Sequence, residues 1–321
     1  MQENALYIVV PCYNEESVLR GTASRLCEKM KTLEICGKIS DFSKIVFVDD
    51  GSADATWSII EEICSVDTRF SGIKLSHNQG HQYALFAGLI AVKNDADFTI
   101  SIDADLQDDI DAIDDMVDAY LTGCDIVYGV RKSRSKDSFI KRISAKGYYR
   151  LLKRYGCDVV YNHADFRLMS CRAVSALSEF REQRLFLRGL VPMLGYKTAV
   201  VEYDRGVREA GVSKYTFRRM LTFALDGLFA LSLRPLRIVV VLGVIMLLLA
   251  AALLIYSIVM HSVGQPASSW KLNAISIWGV GGIITLSLGV VGEYVGRTSV
   301  EVKSRPRYII EQTIGFGGDY E

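Results

Sequence analysis

Apolar positions in the first half of the chain switch repeatedly between two spacings. Residues 5–10, Ala-Leu-Tyr-Ile-Val-Val, form a short continuous apolar run that predicts a buried strand. After the turn Pro11-Cys12-Tyr13-Asn14-Glu15-Glu16, the residues Val18, Leu19, Ala23, Leu26, Met30 and Leu33 recur at helical spacing. The same alternation then repeats. Lys44 to Val48 predicts a second strand, and Trp57, Ile60 and Ile63 mark the helix after it. Gly72 to Leu75 predicts a third strand, followed by a helix of small residues from Ala84 to Val92. In a fourth strand Phe98, Ile100 and Ile102 alternate, a helix from about Ile110 to Tyr120 follows, and Ile126 to Tyr128 is a fifth strand. Strands alternating with helices at this interval predict an α/β fold, a mostly parallel sheet with helices on both faces.

Right-handed crossovers place every strand-to-helix turn of such a sheet on one edge, and ligands bind at that edge. Three of these turns are polar and rich in carboxylates: Pro11 to Glu15, Asp49-Asp50, and Asp103 to Gln107. The third ends an apolar strand in Asp103-Ala104-Asp105-Leu106-Gln107-Asp108-Asp109. Two carboxylates so close repel one another unless a cation or water stands between them. Mg²⁺ takes oxygen ligands, commonly one or two carboxylates together with substrate phosphates. A metal-diphosphate cleft is therefore expected. The Gly-rich dinucleotide fingerprint and the GxxxxGK[ST] loop are both missing, which argues against an NAD fold and a P-loop NTPase.

Hydropathy rises sharply in the last third. Ile238 to Met260 is uncharged and as a helix would extend about 34 Å, against about 30 Å for a bilayer core. A second span is predicted over 272–295, uncharged from Leu272 to Gly292. Arg218, Arg219, Arg234 and Arg237 precede the first span, and Arg297, Lys303, Arg305 and Arg307 follow the second. The loop between them has only Lys271. The positive-inside rule then puts both ends in the cytoplasm. Residues 216–237 predict an amphipathic helix at the membrane surface, and the glycines of the second span predict close helix packing and a homo-oligomer.

The 37 Lys and Arg balance 37 Asp and Glu, so no nucleic-acid partner is expected. Seven cysteines, all before residue 172 and none in a CxxC pair, read as reduced thiols. No signal peptide is expected at the N-terminus. His77 and His81 do not make a zinc pattern. Arg131, Lys132, Arg134, Lys136, Lys141, Arg142 and Lys146 form a basic stretch suited to a phosphate-bearing substrate at a bilayer. Asp165, inside Ala164-Asp165-Phe166-Arg167-Leu168-Met169, reads equally as a buried partner of Arg167 or as a site group.

Taken together, the Pro11–Glu16 turn, Val48-Asp49-Asp50-Gly51-Ser52 with Asp54 and Thr56, Asn78-x-Gly80 with Ala84 and Gly88, and Asp103 to Asp108 resemble the inverting family 2 glycosyltransferases of GT-A fold. The segment Ala164–Met169, the Arg208–Tyr215 loop, the two spans and Gly292-Glu293-Tyr294-Val295-Gly296-Arg297 narrow the likeness. They are similar to bacterial polyisoprenyl-phosphate glycosyltransferases of the bactoprenol glucosyltransferase type. The QxxRW motif of the processive synthases does not occur, which points to transfer of one sugar.

The resemblance implies a GT-A domain over 1–215, the amphipathic helix over 216–237, a two-helix membrane hairpin over 238–296 and a cytosolic tail over 297–321. It implies a UDP-sugar donor, with glucose expected, a polyprenyl phosphate acceptor and a place in the bacterial inner membrane. Pro11, Tyr13, Glu15 and Asp50 would hold the base and ribose, with Ala104 in the same nucleotide-sugar site. Asp103, Asp105 and Gln107 would hold Mg²⁺ or Mn²⁺ on the diphosphate. Arg131, Arg142, Arg208 and Lys214 would bind phosphates, and Asp165 is the candidate catalytic carboxylate beside Asp105. Two alternatives stay open: a dolichol-phosphate-mannose-type enzyme using a GDP-sugar, and a non-catalytic membrane scaffold.

Overall fold

The computed structural model describes residues 4–131, 163–183, 185–204, 259 and 269–316. The chain divides into two compact units, Met1–Ala224 with Pro306–Glu321, and Leu225–Arg305.

In the first unit the alternation of the sequence becomes β1 (Leu6–Cys12), α1 (Leu19–Ile35), β2 (Lys44–Asp49), α2 (Thr56–Val66), β3 (Phe70–Leu75), α3 (His81–Ala91), β4 (Phe98–Ser101), α4 (Ala112–Leu121) and β5 (Ile126–Arg131). Then follow β6 (His163–Ser170), α5 (Cys171–Ser178), α6 (Leu187–Met193), β7 (Thr198–Tyr203) and, far along the chain, β8 (Ile310–Ile314). One sheet holds the eight strands of the described residues in the order β7-β5-β6-β4-β1-β2-β3-β8. β1 is buried along its whole length, as a central parallel strand covered on both faces must be. It pairs in parallel with β2 and with β4, and β2 pairs in parallel with β3. The predicted α/β, mostly parallel sheet is therefore present.

Two strands break the parallel pattern. β6 lies between β4 and β5 and runs antiparallel to both, with Ser101 opposite Arg167. Its N-terminal end thus reaches the edge where β4 ends. Extending that register by two residues brings Asp165 level with Asp103. β8 pairs antiparallel with β3 and covers what would be an open edge. Its fit is specific: Gly315 has φ +79°, and a Cβ there would lie 2.8 Å from the Phe70 carbonyl oxygen. Arg307, just before β8, stacks 4.9 Å over the Phe86 ring of α3 and donates to the Phe180 carbonyl. The segment expected to be a tail thus contributes a strand to the sheet.

In the second unit the described element is α7 (Ser269–Val302), which carries the residues of the second predicted span. Ile277, Val280, Ile284, Leu288, Val291 and Val295 are exposed along it at helical spacing. Among the described residues no helix is long and apolar enough to cross a membrane. The amphipathic helix over 216–237 lies outside the described residues, as does the first span, 238–260, apart from Val259.

Candidate active site

The first two strand-end turns are latched together. The Asn14 amide donates to Ser52 Oγ at 2.9 Å, and the Ala53 amide returns to Asn14 Oδ1 at 2.9 Å. The Glu15 amide donates to Thr56 Oγ1 at 2.9 Å, and the Ala55 amide to Glu16 Oε2 at 3.0 Å. Short polar side chains in these turns thus satisfy backbone donors that neither strand nor helix uses. Pro11 is buried at the end of β1, whereas Tyr13 is 39% exposed over the same edge.

Asp50 closes the turn between β3 and α3. Its Oδ1 accepts from the Gln79 amide and its Oδ2 from the Gly80 amide, both at 2.8 Å. Gly80 has φ +101°, a backbone that a side chain resists, and it turns the chain directly into α3. Burial pushes the Asp50 carboxyl above its ordinary value, against the pull of these two bonds. Asp50 therefore shapes the turn that presents His81, whatever else it touches.

The Asp103–Gln107 turn is braced from beneath, where Thr22 Oγ1 of α1 donates to the Ala104 carbonyl at 2.6 Å. Gln107 Nε2 donates to Asp105 Oδ2 at 2.7 Å. Leu106 adopts φ +43°, and Asp103 and Asp105 stay partly exposed while Ala104 and Leu106 are buried. Further along, Asp108 Oδ1 accepts from Tyr203 Oη at 2.7 Å and from Arg131 Nη2 at 2.9 Å, which ties the turn to β5 and β7. Arg131, expected on a phosphate, is thus engaged with Asp108.

His81 connects this turn to β6. Its Nε2 lies 3.6 Å from Asp103 Oδ1 and 3.5 Å from Asp165 Oδ2. Burial disfavours its charged form, but hydrogen bonding to Asp165 and the charges of Asp103 and Asp165 outweigh this and push it up to about 9. Asp165 also accepts from Arg167 Nη2 at 2.6 Å, from Arg188 Nη2 at 3.0 Å and from Gln82 Nε2 at 3.2 Å. Burial would raise its carboxyl, yet Arg188, His81 and Arg167 together hold it well below the usual carboxylate range. Asp165 is thus paired with Arg167, as one of the two sequence readings has it, and it lies beside His81 at the edge where β4 ends.

The turn suits a hard divalent cation. Asp103 and Asp105 offer partly exposed oxygens in a cluster of carboxylates. Burial raises the Asp103 carboxyl, and the charges of Asp108, Asp165 and Asp105 raise it further against the pull of His81. Among the described residues no three His, Cys, Asp or Glu side chains form a closed cage. A cation held here would draw its other ligands from a diphosphate and water, as Mg²⁺ does.

Tyr13, Glu15, Asp50, Asp103, Ala104, Asp105 and Gln107 therefore lie on strand-end turns along one edge of the sheet, where Pro11 ends β1 and Asp165 stands near the start of β6. Arg142, Arg208 and Lys214 lie outside the described residues.

The model of Glycosyl transferase family 2 matches residues 7–178. The chain belongs to glycosyl transferase family 2. It is 46% identical over 306 residues to YkoT, an uncharacterized glycosyltransferase of Bacillus subtilis, covering 95% of this chain and 91% of that one. It is 36% identical over 313 residues to an SfII prophage-derived bactoprenol glucosyl transferase of Shigella flexneri, covering 95% and 97%. A solved mannosyltransferase of Pyrobaculum calidifontis, in complex with GDP-Man and Mn²⁺, is similar at 14% identity and TM-score 0.48 over 95% of this chain and 86% of that one. This glycosyltransferase thus carries the family's match from β1 through α5, and Arg188 lies beyond it.

Sequence reasoning missed His81, Gln82 and Arg188. His81 enters the sequence reading only in the excluded zinc pattern, although it directly follows the Asn-x-Gly turn. Arg188 had a faint signal as a lone cation in the apolar run Leu185-Phe186-Leu187-Arg188-Gly189-Leu190-Val191.

Proposed function

We propose that this glycosyltransferase moves one sugar, glucose, from its UDP donor to polyprenyl (undecaprenyl) phosphate at the cytoplasmic face of the bacterial inner membrane. The observation that carries the proposal is the meeting of the Asp103–Gln107 turn with the Asp165 cluster through His81. It sets the carboxylates proposed for the metal and diphosphate beside the buried Asp165 cluster on one edge of the sheet. The name of the Shigella relative, similar over nearly its whole length, supports the lipid acceptor.

An acceptor phosphate oxygen attacks the anomeric carbon, the bond from that carbon to the UDP oxygen breaks, and UDP leaves with the electron pair. The configuration inverts. Asp103, Asp105 and Gln107 would hold Mg²⁺ or Mn²⁺, which would supply charge neutralisation to the departing diphosphate. The acceptor is a phosphate monoester with a second pKa near about 6, so it is already mostly ionised at pH 7 and asks little of a general base. The latched turns of β1 and β2 hold the nucleoside end, with Tyr13 exposed over it.

The membrane hairpin over 238–296, both termini cytoplasmic, is part of the proposal. Its support is the uncharged stretch Leu272–Gly292, the basic residues at either end, and the exposed apolar row of α7. A polyprenyl chain stays in the bilayer, so the cleft must come to the headgroup plane. Homo-oligomerisation through the spans belongs to the same proposal.

The test is incubation of the purified full chain in lipid nanodiscs with polyprenyl phosphate and a panel of UDP- and GDP-sugars, followed by mass analysis of the lipid. A polyprenyl-phosphate hexose formed from UDP-glucose is expected. Product from a GDP-sugar alone, or from no nucleotide sugar, overturns the proposal.

A further inference from the structure

We infer that His81 is a positioning residue for Asp103: it pairs with Oδ1 of that carboxylate and so leaves Oδ2 to the divalent cation. This rests on the metal reading of the Asp103–Gln107 turn given above and adds to it a residue from outside the turn.

Asp103, Asp105 and Asp165 are provided for very unequally. Asp165 accepts four hydrogen bonds, two on each oxygen. Oδ1 takes Arg167 Nη2 at 2.6 Å and Arg188 Nε at 3.2 Å. Oδ2 takes Arg188 Nη2 at 3.0 Å and Gln82 Nε2 at 3.2 Å. A carboxylate has about four lone-pair sites, so these donors fill it. His81 Nε2, 3.5 Å from Oδ2, is one neighbour more and the most distant of them. Asp105 has Gln107 Nε2 at 2.7 Å. Among the described residues the Asp103 side chain accepts no hydrogen bond, and the group that pairs with it is His81, with Nε2 3.6 Å from Oδ1. Asp165 can therefore lose the imidazole and keep its place, whereas Asp103 cannot.

The fold, and not the carboxylates, sets the imidazole in position. On one side of it the Gln79 and Gly80 amides are both held by Asp50 at 2.8 Å, and Gly80 turns at φ +101°. On the other side Gln82 is 8% exposed and gripped at both ends of its carboxamide, by Asp165 and by the Leu187 amide at 3.0 Å. His81 thus stands between two anchored neighbours at the first position of α3, with its side chain still 37% exposed.

A ring nitrogen that donates to a carboxylate has no lone pair for a metal, so Nε2 acts on the ligand and not as one. A ligating carboxylate steadied by such a contact meets the metal already oriented, and loss of the contact weakens the metal. Without His81, Asp103 would be ordered only as the cation binds, at a cost to its affinity.

The experiment counts Mn²⁺ bound to the full chain in nanodiscs in the presence of UDP, by electron paramagnetic resonance. Alongside it, the Mn²⁺ concentration for half-maximal transfer is measured with UDP-glucose and polyprenyl phosphate saturating. His81→Ala is expected to weaken Mn²⁺ binding about 10- to 100-fold and to raise the half-maximal concentration by the same factor, with kcat restored at saturating Mn²⁺. His81→Phe keeps a ring without a donor and is expected to fall with His81→Ala. His81→Gln keeps an N–H and is expected to recover most of the affinity. Circular dichroism confirms that each variant is folded. Unchanged Mn²⁺ affinity in folded His81→Ala and His81→Phe overturns the inference and leaves the metal reading standing. A kcat that stays low at every Mn²⁺ concentration assigns His81 to Asp165 and overturns it, as does an equal loss in His81→Gln, which marks a packing role. Absence of bound Mn²⁺ in the unaltered enzyme removes the metal reading and the inference together. The Mn²⁺ count needs no acceptor, so failure of lipid transfer leaves it readable.

Discussion

Asp50→Asn separates a turn-forming carboxylate from a ligand-binding one. In the structure each carboxylate oxygen accepts one backbone amide, from Gln79 and from Gly80, at 2.8 Å. Asparagine keeps one acceptor and sets an NH₂ group against the other amide. Leaving a buried donor unsatisfied costs about 1–3 kcal/mol, which is an upper bound for these part-buried amides. Against this, burial already pushes the Asp50 carboxyl up, so a neutral side chain recovers part of the desolvation cost. The loss of global stability is therefore expected to be smaller than the local one. Locally, opening of the 78–80 turn becomes easier by about 1–3 kcal/mol, which is roughly 5- to 150-fold in exchange rate. Hydrogen exchange of the peptide spanning 76–83, read by mass spectrometry without nucleotide, measures this directly. Faster exchange there, with the β1 and β4 peptides unchanged, is the expected result. Unchanged exchange at Gln79 and Gly80 together with weakened UDP binding would refute it, since Asp50 would then act on the nucleotide alone.

Asp105→Asn is expected to abolish transfer, and EDTA to do the same to the unaltered enzyme; a full rate in EDTA sinks the metal role of this turn. Gly88→Ala would set a Cβ 2.4 Å from Val9 Cγ1 and 2.7 Å from Val48 Cγ2, both valines fully buried. Overpacking of about 1–3 kcal/mol is expected to exceed the gain of about 1 kcal/mol in helix propensity. Thermal unfolding should show a loss that is smaller when Val9→Ala is present, and a strictly additive double variant would count against close packing of α3 on β1. At the start of β5, Arg172 and Ser170 hold the Asp125 carboxyl below its ordinary value, against burial. A depressed carboxylate stabilises the fold above its unfolded pKa of about 3.9, and this is lost as pH falls through the lower folded value. Asp125→Asn should therefore flatten the acid side of the stability curve below about pH 4 while leaving its shape near neutrality unchanged. An acid limb as steep as that of the unaltered protein would remove Asp125 as its source.

Most of the parallel half of the sheet was legible in the chain. A run such as Leu6-Tyr7-Ile8-Val9-Val10 is apolar on both faces, so it must be a covered strand, and the polar turn after it must lie at the edge. The same reasoning placed the Asp50 and Asp103 turns together, because parallel strands joined by right-handed crossovers end on one side. The β6 strand was not legible as part of the sheet. Its apolar residues show that Ala164–Met169 is buried but not which strands it joins or in which direction. β8 was fainter still, since Ile310-Glu311-Gln312-Thr313-Ile314 is apolar only at its ends, and it is a strand because β3 offers it an edge.

The turn that begins at Asp103 shows where the division falls. The sequence alone determined that two carboxylates stand at the end of a buried strand, because strand periodicity and burial are local properties of consecutive residues. Only the tertiary structure decided that His81 lies between Asp103 and Asp165, that Asp50 is occupied in shaping the turn before His81, and that Arg188 is drawn to Asp165. Residues 81, 103, 165 and 188 belong to three different elements and one turn, and their meeting depends on strand order and on the antiparallel register of β6. Charges so far apart in the chain leave no pattern among their neighbours; they find one another only after the sheet has fixed which strand ends are adjacent.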